Sequence, residues 1–196
     1  MKITDDVKTD QRLLNLAGFG AGAVDGVVGP RTQAAYERWE VAVAAVKAET
    51  PEPDTRSAGN LATLLPEVQR GARVWLAKAA RCAAVYGLKV KIICGTRSWA
   101  EQDALYAQGR SAPGARVTNV RGGGSWHNYG LAFDIGLFDG GRYVTEGGPY
   151  KKLVQAVGVP VGFEWGGNWT SFKDYPHMQY VGRYGSLAAA KAVMNG

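Results

Sequence analysis

Apolar positions along the chain change their period several times, and each change marks an element. Leu13, Leu14, Leu16 and Phe19 form a short helical stripe closed by Gly18 and Gly20. A turn follows at Val24-Asp25-Gly26-Val27-Val28-Gly29-Pro30. Pro30 and Thr32 then open a second helix bearing Ala34, Ala35, Tyr36 and Trp39. Residues 1–43 therefore read as a compact helical unit. The stretch from Lys47 to Gly59 is polar and holds two prolines, which predicts a linker over residues 44–60.

A second unit, residues 61–196, has a different texture. Leu65 to Val85 reads as a long amphipathic helix with Pro66 in its first turn. Leu88 to Cys94 alternates and then turns apolar, which predicts a strand. Ser98 caps a helix running through Leu105, with Glu101 as its capping-box partner. Leu131 to Phe138 predicts a strand bearing Asp134, Tyr150 to Val157 a short helix, and Met178 to Val181 a short strand. Strands and helices mix without regular alternation, so the fold class is α+β rather than a doubly wound sheet.

Composition narrows the partners. Hydrophobic residues make up 46%, enough for a real core. No run of 18 apolar residues exists, so no membrane span is expected. The net charge is +6, and the excess belongs to residues 61–196, with 16 basic against 8 acidic side chains. A basic surface implies an acidic partner. No nucleic-acid motif and no arginine-rich run is present, so no nucleic acid is expected and an anionic wall polymer fits better. The opening Met-Lys-Ile-Thr-Asp-Asp leads into no apolar segment, so no signal peptide is expected. Cys82 and Cys94 read as buried free thiols.

The chain has only two histidines, and both stand near carboxylates. His127 lies seven residues before Asp134, after the run Gly122-Gly123-Gly124 that permits close backbone approach. His177 follows Asp174 by three, with Pro176 between them. A catalytic zinc takes three nitrogen or oxygen ligands and keeps one position open. His127, Asp134 and His177 supply such a set, and Asp174 remains as a carboxylate able to move a proton as general base. A structural zinc on Cys82, Cys94, His127 and His177 would leave both aspartates without a role. Arg97, just past a predicted strand, reads equally as an ion-paired surface residue or as a fork for a substrate carboxylate or carbonyl.

Three ordered motifs in the second unit resemble the zinc D-alanyl-D-alanine carboxypeptidase and L-alanyl-D-glutamate endopeptidase family. They are Gly95-Thr96-Arg97-Ser98 through Gln102 to Arg110, then Ser125-x-His127-x-x-Gly130-x-Ala132-x-Asp134, then Trp165-Gly166-Gly167-Asn168-Trp169 with Asp174-x-x-His177. The resemblance implies a small antiparallel sheet flanked by helices. It implies zinc on His127, Asp134 and His177, catalysis by Asp174, and substrate contact by Arg97. Ser125 and Gln102 are further candidates for orienting substrate or ligands. The first unit is similar to a small three-helix peptidoglycan-binding domain through Leu13-Leu14-Asn15, Gly18-Phe19 and Asp25-Gly26-x-x-Gly29-Pro30. Together these resemblances imply a monomeric bacteriophage endolysin. It would be made in the host cytoplasm, released through a holin, and directed at the L-alanyl-D-glutamate bond of peptidoglycan. A D-alanyl-D-alanine carboxypeptidase and a non-catalytic wall-binding protein with a structural zinc are the alternatives.

Overall fold

The computed structural model describes residues 2–195. Helix α1 (Val7–Leu16) starts where the Asp6 side chain accepts from the N–H groups of Lys8 and Thr9, two donors of the first turn that have no helical partner. Helix α2 (Pro30–Glu49) opens on Pro30, whose missing N–H is not needed there. The turn between them is pinned to α1 by Gln11, which donates to Asp25 Oδ1 and accepts from Gly26 N, both at 2.8 Å. Asp10 is fully buried, and its carboxylate accepts from Ile3 N, Thr4 N, Thr4 Oγ1 and Tyr36 Oη at 2.7–3.0 Å.

The expected linker is largely helical. Helix α2 continues to Glu49, and α3 (Thr55–Ala62) begins inside the same stretch, capped by Asp54. Val43 and Val46 extend the buried face of α2, so its polar composition there reflects only the solvent side. Residues 1–43 thus hold α1 and the first part of α2, two helices rather than three.

Helix α4 (Pro66–Val85) lays Val68, Ala72, Leu76, Ala79 and Ala83 against the sheet and α6. The remaining elements are β1 (Leu88–Cys94), α5 (Trp99–Ala107), a 3-10 turn (Trp126–Tyr129), β2 (Ala132–Asp139), β3 (Arg142–Tyr143), α6 (Gly147–Val157), β4 (Phe163–Trp165), a second 3-10 turn (Gly166–Asn168), β5 (His177–Tyr180) and α7 (Leu187–Asn195). The strands run β1-β2-β5-β4, all antiparallel, with β3 beside β2. The architecture is α+β, with a small antiparallel sheet flanked by helices. Ile92, Phe133, Ile135, Leu137 and Met178 are fully buried, and the core they form is continuous with Leu13, Leu14 and Trp39 of the first two helices.

One buried charge stands out. Arg73 in α4 is 1% exposed, and its Nη1 lies 3.4 Å from Glu52 Oε2. Its Nε and Nη2 have no partner among the described residues.

Candidate metal centre

Strand β2 lies between β1 and β5, and Asp134 pairs in register with Cys94 on one side and His177 on the other. Directly opposed residues of antiparallel strands present their side chains on one face. Asp134 Oδ1 is 3.2 Å from His177 Nδ1. His127 arrives from the 3-10 turn, which Ser125 caps by accepting from His127 N. His127 Nε2 is 3.2 Å from Asp134 Oδ1 and 3.2 Å from His177 Nδ1. Three donor atoms therefore meet at one point with equal spacing. Ligands ~2.0–2.2 Å from a tetrahedral zinc stand roughly 3.3–3.6 Å apart, so the triangle is close to the size needed.

The remaining ring nitrogens agree with this. His127 Nδ1 is 2.8 Å from the Gly95 carbonyl, and His177 Nε2 is 3.1 Å from Gln179 Oε1. Each acceptor draws the ring proton to the far nitrogen and leaves the inward lone pair free for a cation. Gln179 Nε2 donates onward to Glu164 Oε2 at 3.0 Å. His177 and Gln179 share one face of β5 because they are two residues apart.

Electrostatics concentrates at the same point. Burial disfavours a charged His127, but the Asp134 carboxylate outweighs it and pushes the imidazole up to about 10. Burial likewise opposes ionised Asp134, yet both histidines hold it well below the carboxylate range. Asp174 moves the other way: burial and then the Asp134 charge raise it, against the pull of His177 and His127. Its backbone is fixed by Asp174 N to Gly166 O at 3.1 Å and His177 N to Asp174 O at 3.3 Å. A Cβ on Gly166 would come within 2.5 Å of the Asp174 carbonyl, which explains a glycine there.

Arg97 joins the cluster, with Nη2 3.5 Å from Asp134 Oδ2 and backbone N donating to His127 O at 3.0 Å. Its Nη1 donates to Gln102 Oε1 at 2.6 Å. Gln102 is fully buried, and its Nε2 is spent on Thr118 Oγ1 and Val120 O. Gln102 is therefore placed to orient Arg97 from beneath. Ser125 shapes the turn that presents His127.

Sequence reasoning missed Cys94 as a neighbour of the site. Its thiol is 3.8 Å from His127 Nδ1 and 3.4 Å from Arg97 Nη2, and both cysteines are free. Cys94, His127 and Asp134 form a second possible donor group within 4.8 Å. The thiol faces the nitrogen already bonded to Gly95 O, so the tighter His127, Asp134 and His177 set is the better cation site. Burial raises the Cys94 thiol, but His127 more than offsets this and lowers it overall. Only the β1–β2 register places Cys94 here, and that register is not readable from spacing.

Residues 118–180 match the M15 peptidase family model described as D-alanyl-D-alanine carboxypeptidase. That span holds His127, Asp134, Asp174 and His177, and Arg97 lies outside it. Over 111 residues the chain is 42% identical to the peptidoglycan L-alanyl-D-glutamate endopeptidase CwlK of Bacillus subtilis (strain 168), covering 50% of this chain and 65% of that protein. Over 75 residues it is 37% identical to the L-alanyl-D-glutamate peptidase of Listeria phage A118, covering 33% and 26%. The matches thus span less than two thirds of either relative. The crystal structure of Serratia marcescens L-Ala D-Glu endopeptidase ChiX is 25% identical, with a TM-score of 0.41 over 68% of this chain and 92% of that one. M15 peptidases are metal-dependent, and the donor cluster of this chain suits a metal ion.

Proposed function

We propose that this chain is a zinc-dependent peptidoglycan hydrolase that cleaves the stem peptide at L-alanyl-D-glutamate. One observation carries the reading: His127 Nε2, Asp134 Oδ1 and His177 Nδ1 converge at 3.2 Å from one another while their outer nitrogens are tied to acceptors. Two nitrogens and one carboxylate form the donor set of a zinc site that keeps a position open for chemistry. Two curated relatives, both named for the L-alanyl-D-glutamate bond, support the choice of bond.

Zinc held by these three side chains supplies Lewis acidity toward a peptide carbonyl and toward water. The protein residues do the rest. Asp174, kept from ionising too readily by burial and by Asp134, takes a proton from the attacking water and returns it to the leaving amine. Arg97, braced by Gln102, presents a guanidinium to the substrate and to charge developing on the carbonyl oxygen. Every donor comes from one chain, so a monomer suffices.

Residues 1–43 serve as the wall-binding unit in this reading. An open groove lined by Asn15, Gly18, Gly20, Arg31 and Arg38, with Met194 of α7 beside it, is the surface they offer. The phage relative and the pairing of this unit with a peptidase favour an endolysin acting on the wall after holin-dependent release.

Mass analysis of peptidoglycan digested by zinc-loaded protein, beside an Asp174→Ala control, tests the reading. New amino-terminal D-Glu is the expected product. Release of D-Ala would move the assignment to the carboxypeptidase activity for which the matched family model is described. Zinc bound without any product would leave a wall-binding protein with a structural metal.

A further inference from the structure

Helix α1 does not sit apart from the candidate site. Its consecutive residues Arg12 and Leu13 touch both segments that shape it. The Arg12 guanidinium lies 3.9 Å from the centroid of the Trp99 ring, a cation–π contact. Trp99 opens α5 two residues after Arg97, and the indole also packs on Gly123, where a Cβ would come within 3.0 Å of the ring. Leu13 is fully buried beneath Gly130, where a Cβ would come within 2.8 Å of Leu13 Cδ2. Gly130, at φ +65°, closes the turn that carries His127.

Asn128 knits these segments together. It donates to Arg97 O at 2.9 Å and accepts from Gly123 N and Ser125 N at 3.0 and 3.1 Å. At the end of α1, Leu16 O accepts from Tyr184 Oη and Arg183 Nη2, both at 3.4 Å, just beyond β5 and His177. Helix α1 thus contacts the chain beside Arg97, beside His127 and beyond His177.

We propose that α1 is a positioning element of the metal site and that Arg12 is its positioning residue. Arg12 holds Trp99, and with it Arg97 and the Gly122–Gly124 run, in register with His127. The inference rests on the peptidase reading above. A wall-binding module on a tether leaves the turnover of a small soluble substrate untouched. A brace for the site does not, because small misplacements of reacting groups are costly.

The test uses the full chain carrying Arg12→Ala or Arg12→Lys, a soluble disaccharide-peptide substrate that needs no wall retention, and Co²⁺ as a metal probe. Arg12→Ala is expected to lower kcat about tenfold with KM within about twofold, the scale of a lost cation–π contact. Its Co²⁺ absorption spectrum should change. The amides of Asn128, Gly130 and Leu131, which close the turn through Ser125 O, His127 O and Trp126 O, should exchange about tenfold faster in metal-free protein. Arg12→Lys should recover most of each effect, since an ammonium also sits over an indole.

Turnover and exchange in Arg12→Ala that match the parent chain within about twofold would overturn the proposal. If Arg12→Ala does not fold, Trp99→Phe, which keeps a ring with a weaker cation–π face, should show the same losses in smaller degree, and parental values there would overturn it equally. If the parent chain neither turns over nor binds Co²⁺, the peptidase reading falls by itself. The exchange of the three amides then still decides whether α1 braces the turn.

Discussion

Asp134 and His177 face each other across β2 and β5, in register, with Oδ1 and Nδ1 3.2 Å apart. Their neighbours Phe133, Ile135 and Met178 are fully buried on the other side of the sheet. The alternation of the strands therefore fixes two of the three donors as firmly as it fixes the core. Such a pair is pre-organised for a cation, because rigid elements hold it rather than a mobile loop. Asp134→Asn keeps the shape and removes the charge. It should weaken zinc binding by more than the roughly 10–100-fold that loss of an outer partner costs, with the fold intact. A competition titration against a chelating dye, read beside circular dichroism, measures both. Parental affinity in Asp134→Asn would remove it from the ligand set.

The contact of His177 Nε2 with Gln179 Oε1, and of Gln179 Nε2 with Glu164 Oε2, gives the outer side of the site its own prediction. Gln179→Leu frees His177 to turn or to change tautomer. Zinc affinity should fall about 10–100-fold, less than for the loss of a ligand. The same titration checks this, and a change under threefold would show that the relay does not set the ring.

Asp174 should act in chemistry rather than in binding. Asp174→Asn is expected to keep the metal and lose about 10²–10⁴ in kcat, the usual worth of a positioned proton carrier. A base must be ionised to work, so the rate falls as pH drops through its folded pKa. Burial and the Asp134 charge raise that value above 3.8. The acid limb of the pH–rate profile should therefore belong to Asp174 and vanish from the residual rate of Asp174→Asn. A residual rate with the same acid limb would assign the limb elsewhere.

The meeting of His127, Asp134 and His177 was legible in the sequence because a chain with two histidines has few ways to bring them beside a carboxylate. Strand β1, from Leu88 to Cys94, and the Ser98–Glu101 capping box were legible because each rests on local periodicity or spacing. What was hidden is tertiary. Cys94 reaches the site only through the β1–β2 register, and Glu164 only through the β4–β5 pairing. The end of α2 has linker-like composition because only its exposed face is polar, while Val43 and Val46 stay buried. The approach of Arg12 to Trp99 spans two units that composition alone separates.

Metal removal exposes the ion pair beneath the site. In the metal-free protein His127 titrates at about 10, against 6.5 for an unperturbed histidine. A raised folded pKa gives stability that is fully present below 6.5 and is lost as pH rises through about 10. Asp134 is depressed, so its share is present above 3.8 and is lost as pH falls further. The stabilisation is one interaction seen from two ends, and it is greatest between pH 3.8 and 6.5. The difference in Tm between the metal-stripped parent chain and His127→Gln should be largest in that window and shrink toward pH 10. A difference that grows with pH would contradict the pairing.

Arg73 gives a prediction of opposite sign to most core substitutions. Its guanidinium is buried, its one partner, Glu52, is mostly exposed, and Nε and Nη2 find no acceptor among the described residues. Taking a charge out of water is repaid only when the pairing is complete. Methionine fills much the same length with an apolar chain and carries no such cost. Arg73→Met should therefore be neutral or should stabilise by about 1–3 kcal/mol, read as a raised urea midpoint at unchanged m value. Glu52→Gln should destabilise, because it removes the countercharge of a buried guanidinium and leaves only an amide oxygen as acceptor. A loss above about 2 kcal/mol in Arg73→Met would mean that the guanidinium is satisfied in solution. Ordered water in the cavity of about 370 Å³ that Arg73 lines with Leu76, Ala80 and Lys91 would then be its partner.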